Sequence, residues 1–151
     1  MNAFTLLKED HDKVAGIFEQ LEPTTERGVK TREELFTRLK NELDVHTRIE
    51  EEIFYPALRD ADQTHDIVLE AYEEHAVVKE LLAELESLSK DDETWGAKLK
   101  VLQENVEHHV EEEEGEMFPE ARKVLSTTEA DALGERLEAA KQQKKTAAGQ
   151  N

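Results

Sequence analysis

The chain has 151 residues, of which 37 are Asp or Glu and 19 are Lys or Arg, so its formal net charge is −18. A nucleic-acid-binding protein needs a basic face to neutralise phosphates, and a chain this acidic would repel nucleic acids and anionic lipid head groups. Cysteine is absent, which excludes disulfides, thiolate nucleophiles and Cys-ligated zinc or iron–sulfur sites. The composition therefore predicts cations as partners, with no nucleic acid and no membrane.

The sequence contains no run of 18 apolar residues that could span a bilayer. Its N-terminus, MNAFTLLKEDHDK, is charged from Lys8 onward, where a signal peptide would need its apolar stretch. We therefore expect a cytoplasmic protein. One bundle domain is the natural expectation for this length, and 37% apolar residues with 5% aromatic residues suffice for a helical core.

Strong helix formers dominate the chain, and the few Gly and Pro residues lie between long helical stretches, which predicts an all-α fold. Pro23 should end the first helix, and Thr31 with Glu34 should form a capping box that opens the second. The third helix should be capped by Asp62 or Thr64 and the fourth by Asp91 or Asp92. The expected helices cover residues 3–22, 31–59, 62 or 64 to 89, and 91 or 92 to 125, with a short fifth helix from 127 or 128.

Apolar residues recur at steps of three and four along the four long helices, which short connections join. This spacing predicts an up-down-up-down four-helix bundle over residues 1–125, followed over 126–151 by a short C-terminal helix and a disordered tail from residue 141. The polar side chains on the core-facing stripes are four histidines and two glutamates, namely His11, His46, Glu50, His75, His109 and Glu113.

These six residues belong to an internal repeat. The segment HTRIEEEIFYP at 46–56 matches HVEEEEGEMFP at 109–119, and the Asp-His pair at 10–11 matches the Glu-His pair at 74–75. Each half thus provides a lone His from its first helix and an HxxxE pair on one face of its second helix. In an up-down bundle the two halves meet about a pseudo-two-fold axis, so the six side chains can converge in the core.

Four imidazoles and two carboxylates suit a pair of first-row transition metal ions, because an imidazole donates a lone pair and a carboxylate can bridge two cations. Burying two carboxylates without cations or donors would cost on the order of several kcal/mol. A single HxxxE motif arises easily in a Glu-rich chain, and a lone core His can be purely structural. The joint pattern favours a metal site, although ligand type alone does not choose among iron, manganese and zinc.

Residues around the predicted site have more than one interpretation. His108 could pair with Glu112, but it lies about 100° around the helix from His109, which favours a supporting or boundary role. Tyr72, one turn before His75, could donate a hydrogen bond to a bound oxygen, act as a ligand, or pack in the core. Asp10 and Glu74, directly before the lone histidines, could support the site or face solvent.

The segments just past the two glutamates carry a further prediction. Phe54 and Met117, one turn after Glu50 and Glu113, should form an apolar lid that excludes water. Pro56 and Pro119 should kink or loosen their helices just beyond the site.

At these residues the sequence resembles the hemerythrin-like family, specifically its HHE cation-binding domains with the pattern H-HxxxE-H-HxxxE. The resemblance covers about residues 3–125. It implies a four-helix bundle that holds a non-haem di-iron centre, and family members bind dioxygen, sense or handle oxygen and nitric oxide, store iron or decompose peroxide. Carried over by position, the resemblance implies terminal imidazole ligands His11, His46, His75 and His109 and bridging carboxylates Glu50 and Glu113.

Two departures from the oxygen-carrying hemerythrins affect the expected function. Those proteins have HxxxH on the third helix, whereas here His75 is followed four residues later by Lys79. They also carry a HxxxxD carboxylate on the fourth helix, where this chain offers Glu113 or Glu114, and the repeat favours Glu113. A site that is one imidazole short should be more open, which favours reaction with peroxide over reversible oxygen carriage.

The expected function is therefore that of a protein with two iron ions that binds or reacts with O2, peroxide or NO. Catalase-like decomposition of hydrogen peroxide is one candidate activity. A non-catalytic iron store or sensor, in which the metal changes helix packing, is the alternative. A metal-free acidic interaction module is a further possibility.

Overall fold

The computed structural model describes residues 1–147, in which every regular element is helical. Two short π-helical segments, Glu50–Phe54 and Glu113–Met117, each join two α-helices without a break. The α-helices are α1 (Ala3–Leu21), α2 (Val29–Ile49), α3 (Tyr55–Leu58), α4 (His65–Ser87), α5 (Trp95–Glu112), α6 (Phe118–Val124) and α7 (Thr127–Ala147). The rods α2–α3 and α5–α6 form the bundle together with α1 and α4, and the predicted all-α class is confirmed.

Neighbouring helices bury two apolar clusters, one at each end of the bundle. α1 packs against α2, and α4 packs against α5. One cluster is aromatic and contains Phe4, Phe54 and Phe118, whose ring centroids lie 5.2 to 6.1 Å apart. The other is mainly aliphatic and ends at the buried Trp95. None of the helices in residues 1–147 has the length and apolarity that a membrane span requires.

Each π segment lies just before one of the two helix-breaking prolines, Pro56 and Pro119. A proline has no amide hydrogen, and its ring would collide with the carbonyl four residues earlier in a regular α-helix. The chain widens one turn at this point, so that the amide of Tyr55 donates to the carbonyl of Glu50, five residues back. The second half repeats this bond. The predicted loosening beyond the site is therefore confirmed, and it takes the form of a π turn.

Two predicted helix starts were wrong. α2 begins at Val29 after Gly28, so Thr31 lies inside its first turn and forms no capping box. The buried side chain of Arg32 anchors this turn by donating to Thr24 and to the carbonyl of Lys90, and such tertiary contacts outweigh the local signal.

The fourth predicted helix begins later than expected, because α5 starts at Trp95. Asp92 caps the preceding turn instead, since it accepts from the amide and hydroxyl of Thr94 at 2.8 and 2.7 Å. Thr64 does precede α4 as predicted, but its hydroxyl donates to the carbonyl of Leu58 at 2.5 Å and caps no amide.

The C-terminal helix is longer than predicted. α7 has 21 residues, so residues 141–147, expected to be disordered, are helical, and the end of the predicted tail, 148–151, lies outside the described residues. The helix packs against α1, α2 and the first π segment and buries Leu133 and Leu137. Three lysines near its end, Lys141, Lys144 and Lys145, pair with acidic side chains of the bundle, which explains why the polar tail continues the helix.

Candidate metal centre

The structure brings all six predicted ligand residues together between the two apolar clusters. Their exposed fractions are 0% for Glu50, 1% for Glu113 and 1 to 6% for the four histidines. Among these six residues, potential ligand atoms within 4.8 Å of one another form two groups that share Glu50. The first group is His11, His46, Glu50 and Glu113, and the second is Glu50, His75 and His109.

Every one of the four imidazoles points its Nε2 atom at the two buried carboxylates. In the first half, His11 Nε2 lies 3.0 Å from Glu113 Oε1, and His46 Nε2 lies 3.1 Å from Glu50 Oε1. In the second half, His75 Nε2 lies 3.1 Å from Glu50 Oε1, and His109 Nε2 lies 3.2 Å from Glu113 Oε2. Each carboxylate therefore faces one imidazole from either half.

The opposite nitrogen of each imidazole, Nδ1, contacts a second carboxylate from another helix. Such a contact fixes the ring and directs the lone pair of Nε2 inward, as is typical of metal-binding histidines. These partners also follow the repeat, because Asp10 matches Glu74 and Glu51 matches Glu114. The Nδ1 to oxygen distances are 2.6 Å for His11–Glu114, 3.0 Å for His46–Asp10, 2.7 Å for His75–Glu51 and 2.6 Å for His109–Glu74.

Four buried atoms in the centre make no well-aligned hydrogen bond with a described residue, although the two nitrogens among them lie 3.0 and 3.1 Å from carboxylate oxygens. The four atoms are Nε2 of His11, Nε2 of His46, Oε2 of Glu50 and Oε1 of Glu113. Buried polar atoms are normally satisfied, and buried charges are paired or coordinate metals. Nitrogen and carboxylate oxygen donors that converge and lack well-aligned hydrogen bonds are the donor set of a transition metal site, so the residues present fit a metal pair.

Contacts between the buried carboxylates and imidazoles shift the pKa values of both kinds of group. Burial alone would raise the pKa of Glu113, but contacts with Glu50, His109 and His11 outweigh it and hold the pKa well below its ordinary value. Burial alone would lower the pKa of His109, yet hydrogen bonds to Glu113 and Glu74 raise it to about 10. Protons held in this way would have to leave before the imidazoles could bind a cation.

The carboxylate behind His46 is also held in its charged form. Burial raises the pKa of Asp10, but the hydrogen bond to His46, together with the nearby ammonium group of Lys141, lowers it to about 2. Asp10 is therefore an acceptor for the Nδ1–H group of His46 across the physiological pH range.

Residues 2–121 match the family model described as the hemerythrin HHE cation-binding domain. The chain therefore belongs to the hemerythrin HHE family. The expected resemblance is confirmed, and the matched range includes all six converging residues.

A solved structure and a curated relative match over almost the whole chain. A crystal structure of a hemerythrin HHE cation-binding domain-containing protein from Mycobacterium kansasii superimposes with a TM-score of 0.87 at 29% identity, over 98% of this chain and 90% of that one. An uncharacterized protein of Mycobacterium tuberculosis is 29% identical over 92% of this chain and 84% of its own length.

A third relative is much longer than this chain. A protein named DNA nickase from Nostoc sp. is 28% identical over 141 residues, which are 93% of this chain. The match spans only 39% of that relative.

In this HHE domain the two candidate carboxylates on the fourth bundle helix occupy different places. Glu113 faces the imidazoles inside the core, whereas Glu114 contacts His11 Nδ1 from the partly exposed side. Asp10 and Glu74, which could have faced solvent, take the matched supporting positions at His46 and His109.

The sequence did not predict two residues of the centre, namely Glu51 at His75 Nδ1 and Tyr55 among the buried carboxylates. The hydroxyl of Tyr55 donates to Glu113 Oε2 at 2.5 Å and lies 3.1 Å from Glu50 Oε1. It also lies 3.2 and 3.3 Å from the Nε2 atoms of His75 and His109. Burial and the two neighbouring carboxylates raise the pKa of this phenol well above its ordinary value, so the hydroxyl keeps its proton.

The π turn explains why Tyr55 replaces Phe54 at the site. One extra residue per turn brings the fifth residue after Glu50 to the place that the fourth would occupy in an α-helix. Phe54 and Met117 are buried in the aromatic cluster beside the centre, as part of the predicted apolar cover. The rings next to the imidazoles are Tyr55 and its repeat partner Phe118, which stacks on His11 at 6.3 Å between centroids. The Pro directly after Tyr55 and after Phe118 was the sequence signal that could have indicated an irregular turn at this point.

Tyr72 and His108 lie outside the centre. The hydroxyl of Tyr72 donates to the carbonyl of Glu51 at 3.3 Å and its ring packs on Tyr55, so core packing is the interpretation that agrees with the structure. The side chain of His108 is 64% exposed and lies 3.0 Å from Glu112, in agreement with a boundary role.

On the aliphatic side of the centre is a cavity of about 20 Å³. Its lining consists of residues that correspond in pairs through the repeat, and it is apolar apart from the imidazoles and Thr47. A volume of this size holds about one water-sized molecule. The lining pairs are His11 with His75, Val14 with Val78, Leu43 with Val106, His46 with His109, and Thr47 with Val110.

Proposed function

We propose that this HHE domain holds two iron ions between its halves and that they bind or react with a small oxygen species, namely O2, peroxide or NO. The observation that carries the proposal is the set of inward Nε2 and carboxylate atoms, four of them without a well-aligned hydrogen bond in the core. His11 and His46 would hold one ion and His75 and His109 the other, with Glu50 and Glu113 shared. A bound iron pair supplies one-electron redox chemistry and open positions for a ligand.

The protein groups around this centre would orient the ligands, exclude water and hold a proton. The carboxylates at each Nδ1 fix the direction of the imidazoles. The aromatic cluster closes one side against bulk water. The phenol of Tyr55 supplies a hydrogen-bond donor 2.5 Å from Glu113, at the face opposite the aliphatic cavity.

The cavity beside the imidazoles supports a small ligand over the alternative of bulk iron storage. A space of about 20 Å³ accommodates about one water-sized molecule, and it has no room for a mineral of many ions. Decomposition of hydrogen peroxide is the catalytic activity that we propose to test. A sensor role, in which bound iron alters helix packing, remains the second candidate, because the ligands come from four different helical rods.

Metal analysis, an optical spectrum and peroxide turnover on freshly purified protein test the proposal together. We expect about two irons per chain, near-ultraviolet absorption of the ferric form, and turnover that disappears in the iron-free protein. The variants His109→Asn and His108→Asn form a matched pair, because both histidines have Glu four residues later. The first should lose iron and the second should retain it.

A folded protein that takes up no iron under reducing, anaerobic loading would contradict the iron centre. Two bound irons without peroxide turnover would instead contradict the catalytic part and favour a sensor or carrier. We extend no DNA-directed activity to this chain, because its net charge of −18 opposes phosphate binding. We also propose that the protein is located in the cytoplasm, which cell fractionation would test.

A further inference from the structure

The C-terminal helix α7 lies outside the duplicated part of the chain, yet one of its side chains reaches the surroundings of the metal centre. The ammonium group of Lys141 donates to Asp10 Oδ1. The other oxygen of Asp10, Oδ2, accepts from His46 Nδ1 at 3.0 Å. A chain of two polar contacts therefore connects α7 to an imidazole that points at Glu50.

The burial of this connection distinguishes it from an ordinary surface ion pair. The side chain of Asp10 is 3% exposed and that of Lys141 is 14% exposed. Exposed ion pairs contribute little, but a buried carboxylate that loses a partner pays the full cost of desolvation. Each Asp10 oxygen has its own partner, so the carboxylate is held against rotation.

The equivalent position in the other half has no such lysine. Glu74, the repeat partner of Asp10, contacts His109 Nδ1 at 2.6 Å, and its second oxygen lies 3.8 Å from the exposed His108. Another lysine does reach a supporting carboxylate, since Lys79 donates to Glu51 at 2.9 Å, but that lysine is 46% exposed. Within residues 1–147, Lys141 of α7 is therefore the least exposed lysine that contacts a carboxylate bound to an imidazole Nδ1 atom.

We propose that Lys141 is a positioning residue of the metal centre, which acts through Asp10 to hold the His46 imidazole with Nε2 directed inward. The inference rests on the proposed metal centre and adds α7 to it. If so, the packing of α7 against the bundle helps to retain the metal. Loss of Lys141 would free Asp10 Oδ1, let the carboxylate turn, and weaken the hold on His46.

The simpler alternative is that Lys141 only helps α7 to pack. Lys144 provides the matched control, because it lies on the same helix and pairs with Glu52 at 3.0 Å, but Glu52 contacts no imidazole of the centre. Lys141→Met and Lys144→Met each remove one ammonium group and keep a long apolar stem. Lys141→Arg keeps the charge and serves as the conservative rescue.

The first measurement is the rate at which iron leaves the loaded protein in the presence of a strong chelator. Substitution of supporting residues around metal-binding histidines typically costs about 10 to 100-fold in affinity. We expect Lys141→Met to release iron about tenfold faster than the parent protein, Lys141→Arg to restore most of the difference, and Lys144→Met to stay within about twofold.

The second measurement does not need iron. In the metal-free protein labelled with ¹⁵N, the exchange rate of the His46 Nδ1 proton with solvent reports on its contact with Asp10. We expect faster exchange in Lys141→Met alone, with the exchange of the His109 Nδ1 proton unchanged in every variant. Thermal unfolding of the same samples is the control that checks whether each variant is folded.

Equal effects of Lys141→Met and Lys144→Met on both measurements would overturn the proposal and leave a packing role. Unchanged iron release and unchanged His46 exchange in Lys141→Met would overturn it as well. If no variant and no parent protein binds iron, the proposed function fails, whereas the proton exchange still decides whether Lys141 holds His46 through Asp10.

Discussion

The two halves of the bundle match on one side of the metal centre and differ on the other. On the aliphatic side, repeat partners line the cavity pair by pair. On the aromatic side, Tyr55 places a hydroxyl among the ligands, whereas its partner Phe118 stacks a plain ring on His11. The supporting carboxylates differ as well, since Asp10 accepts from the partly buried Lys141 and Glu74 contacts no lysine among residues 1–147. The duplication therefore accounts for the six converging side chains, and the unduplicated features make the surroundings of the two halves inequivalent.

The largest expected effect comes from breaking what the halves share. Glu50→Gln and Glu113→Gln should each lower iron affinity by more than about 100-fold, because each carboxylate faces imidazoles of both halves and supporting residues alone account for about 10 to 100-fold. Competition with a chelator of known affinity measures this. If one of the two variants kept near-normal affinity, the carboxylates would not be shared equally.

Substituting the carboxylates behind the imidazoles should separate the halves. We expect Asp10→Asn to reduce iron affinity by an amount near the upper end of about 10 to 100-fold, and Glu74→Gln by an amount near the lower end. The side chain of Asp10 is 3% exposed and that of Glu74 is 20% exposed, so water can replace the lost contact more easily at Glu74. The same competition assay measures both. The reverse order would show that burial does not determine the strength of the support.

Tyr55→Phe makes the aromatic side of the two halves alike. The substitution removes a buried donor to Glu113, which should cost about 1.5 to 3 kcal/mol in the unfolding free energy of the metal-free protein. Chemical denaturation measures this cost, and Tyr72→Phe is the control, because the Tyr72 hydroxyl makes only a 3.3 Å contact outside the centre. Equal costs for the two variants would mean that the Tyr55 contacts are not special to the centre.

The smallest expected effect concerns the covering of the first half by α7. A Cβ atom at Gly134 would lie 2.2 Å from the carbonyl oxygen of Met1 and 2.7 and 2.9 Å from backbone atoms of Asn2 and Ala3, so Gly134→Ala should destabilise the protein by about 1 to 2 kcal/mol through overpacking. Gly16→Ala on α1 meets nothing within 4 Å and should instead stabilise by about 0.4 to 1 kcal/mol. Thermal unfolding compares them, and a neutral Gly134→Ala would indicate that this contact is loose.

The convergence of the six candidate ligands could be predicted from the sequence because they interrupt apolar stripes whose period is that of a helix, and because the interruptions recur in both halves. His11, His46 and their repeat partners need only a regular helix to reach the core. The choice of Glu113 over Glu114 followed from the repeat in the same way. These predictions depend on local periodicity, which a sequence displays directly.

Other features depended on contacts between distant residues. Tyr55 enters the centre only because the helix gains a residue before Pro56, and periodicity counted on a regular helix placed Phe54 there instead. The start of α2 is determined by the buried Arg32 and its partners, and the end of α7 by Lys141 and its neighbours on the bundle. A capping signal or a polar composition was too local to anticipate either contact.

Each π turn divides its long helix into two parts whose side chains follow different rotational registers. A π turn contains one residue more than an α turn. Every later side chain is therefore rotated back by about 100° around the helix axis. The part of the rod before Glu50 and the part after it therefore present faces that are out of phase. The aromatic end is aligned with the ligand end by a count of residues. If the same sequence continued as a regular α-helix, Phe54 would take the place of Tyr55 at the centre, whereas deletion of one residue between positions 51 and 54 would allow a regular α-helix to keep Tyr55 there.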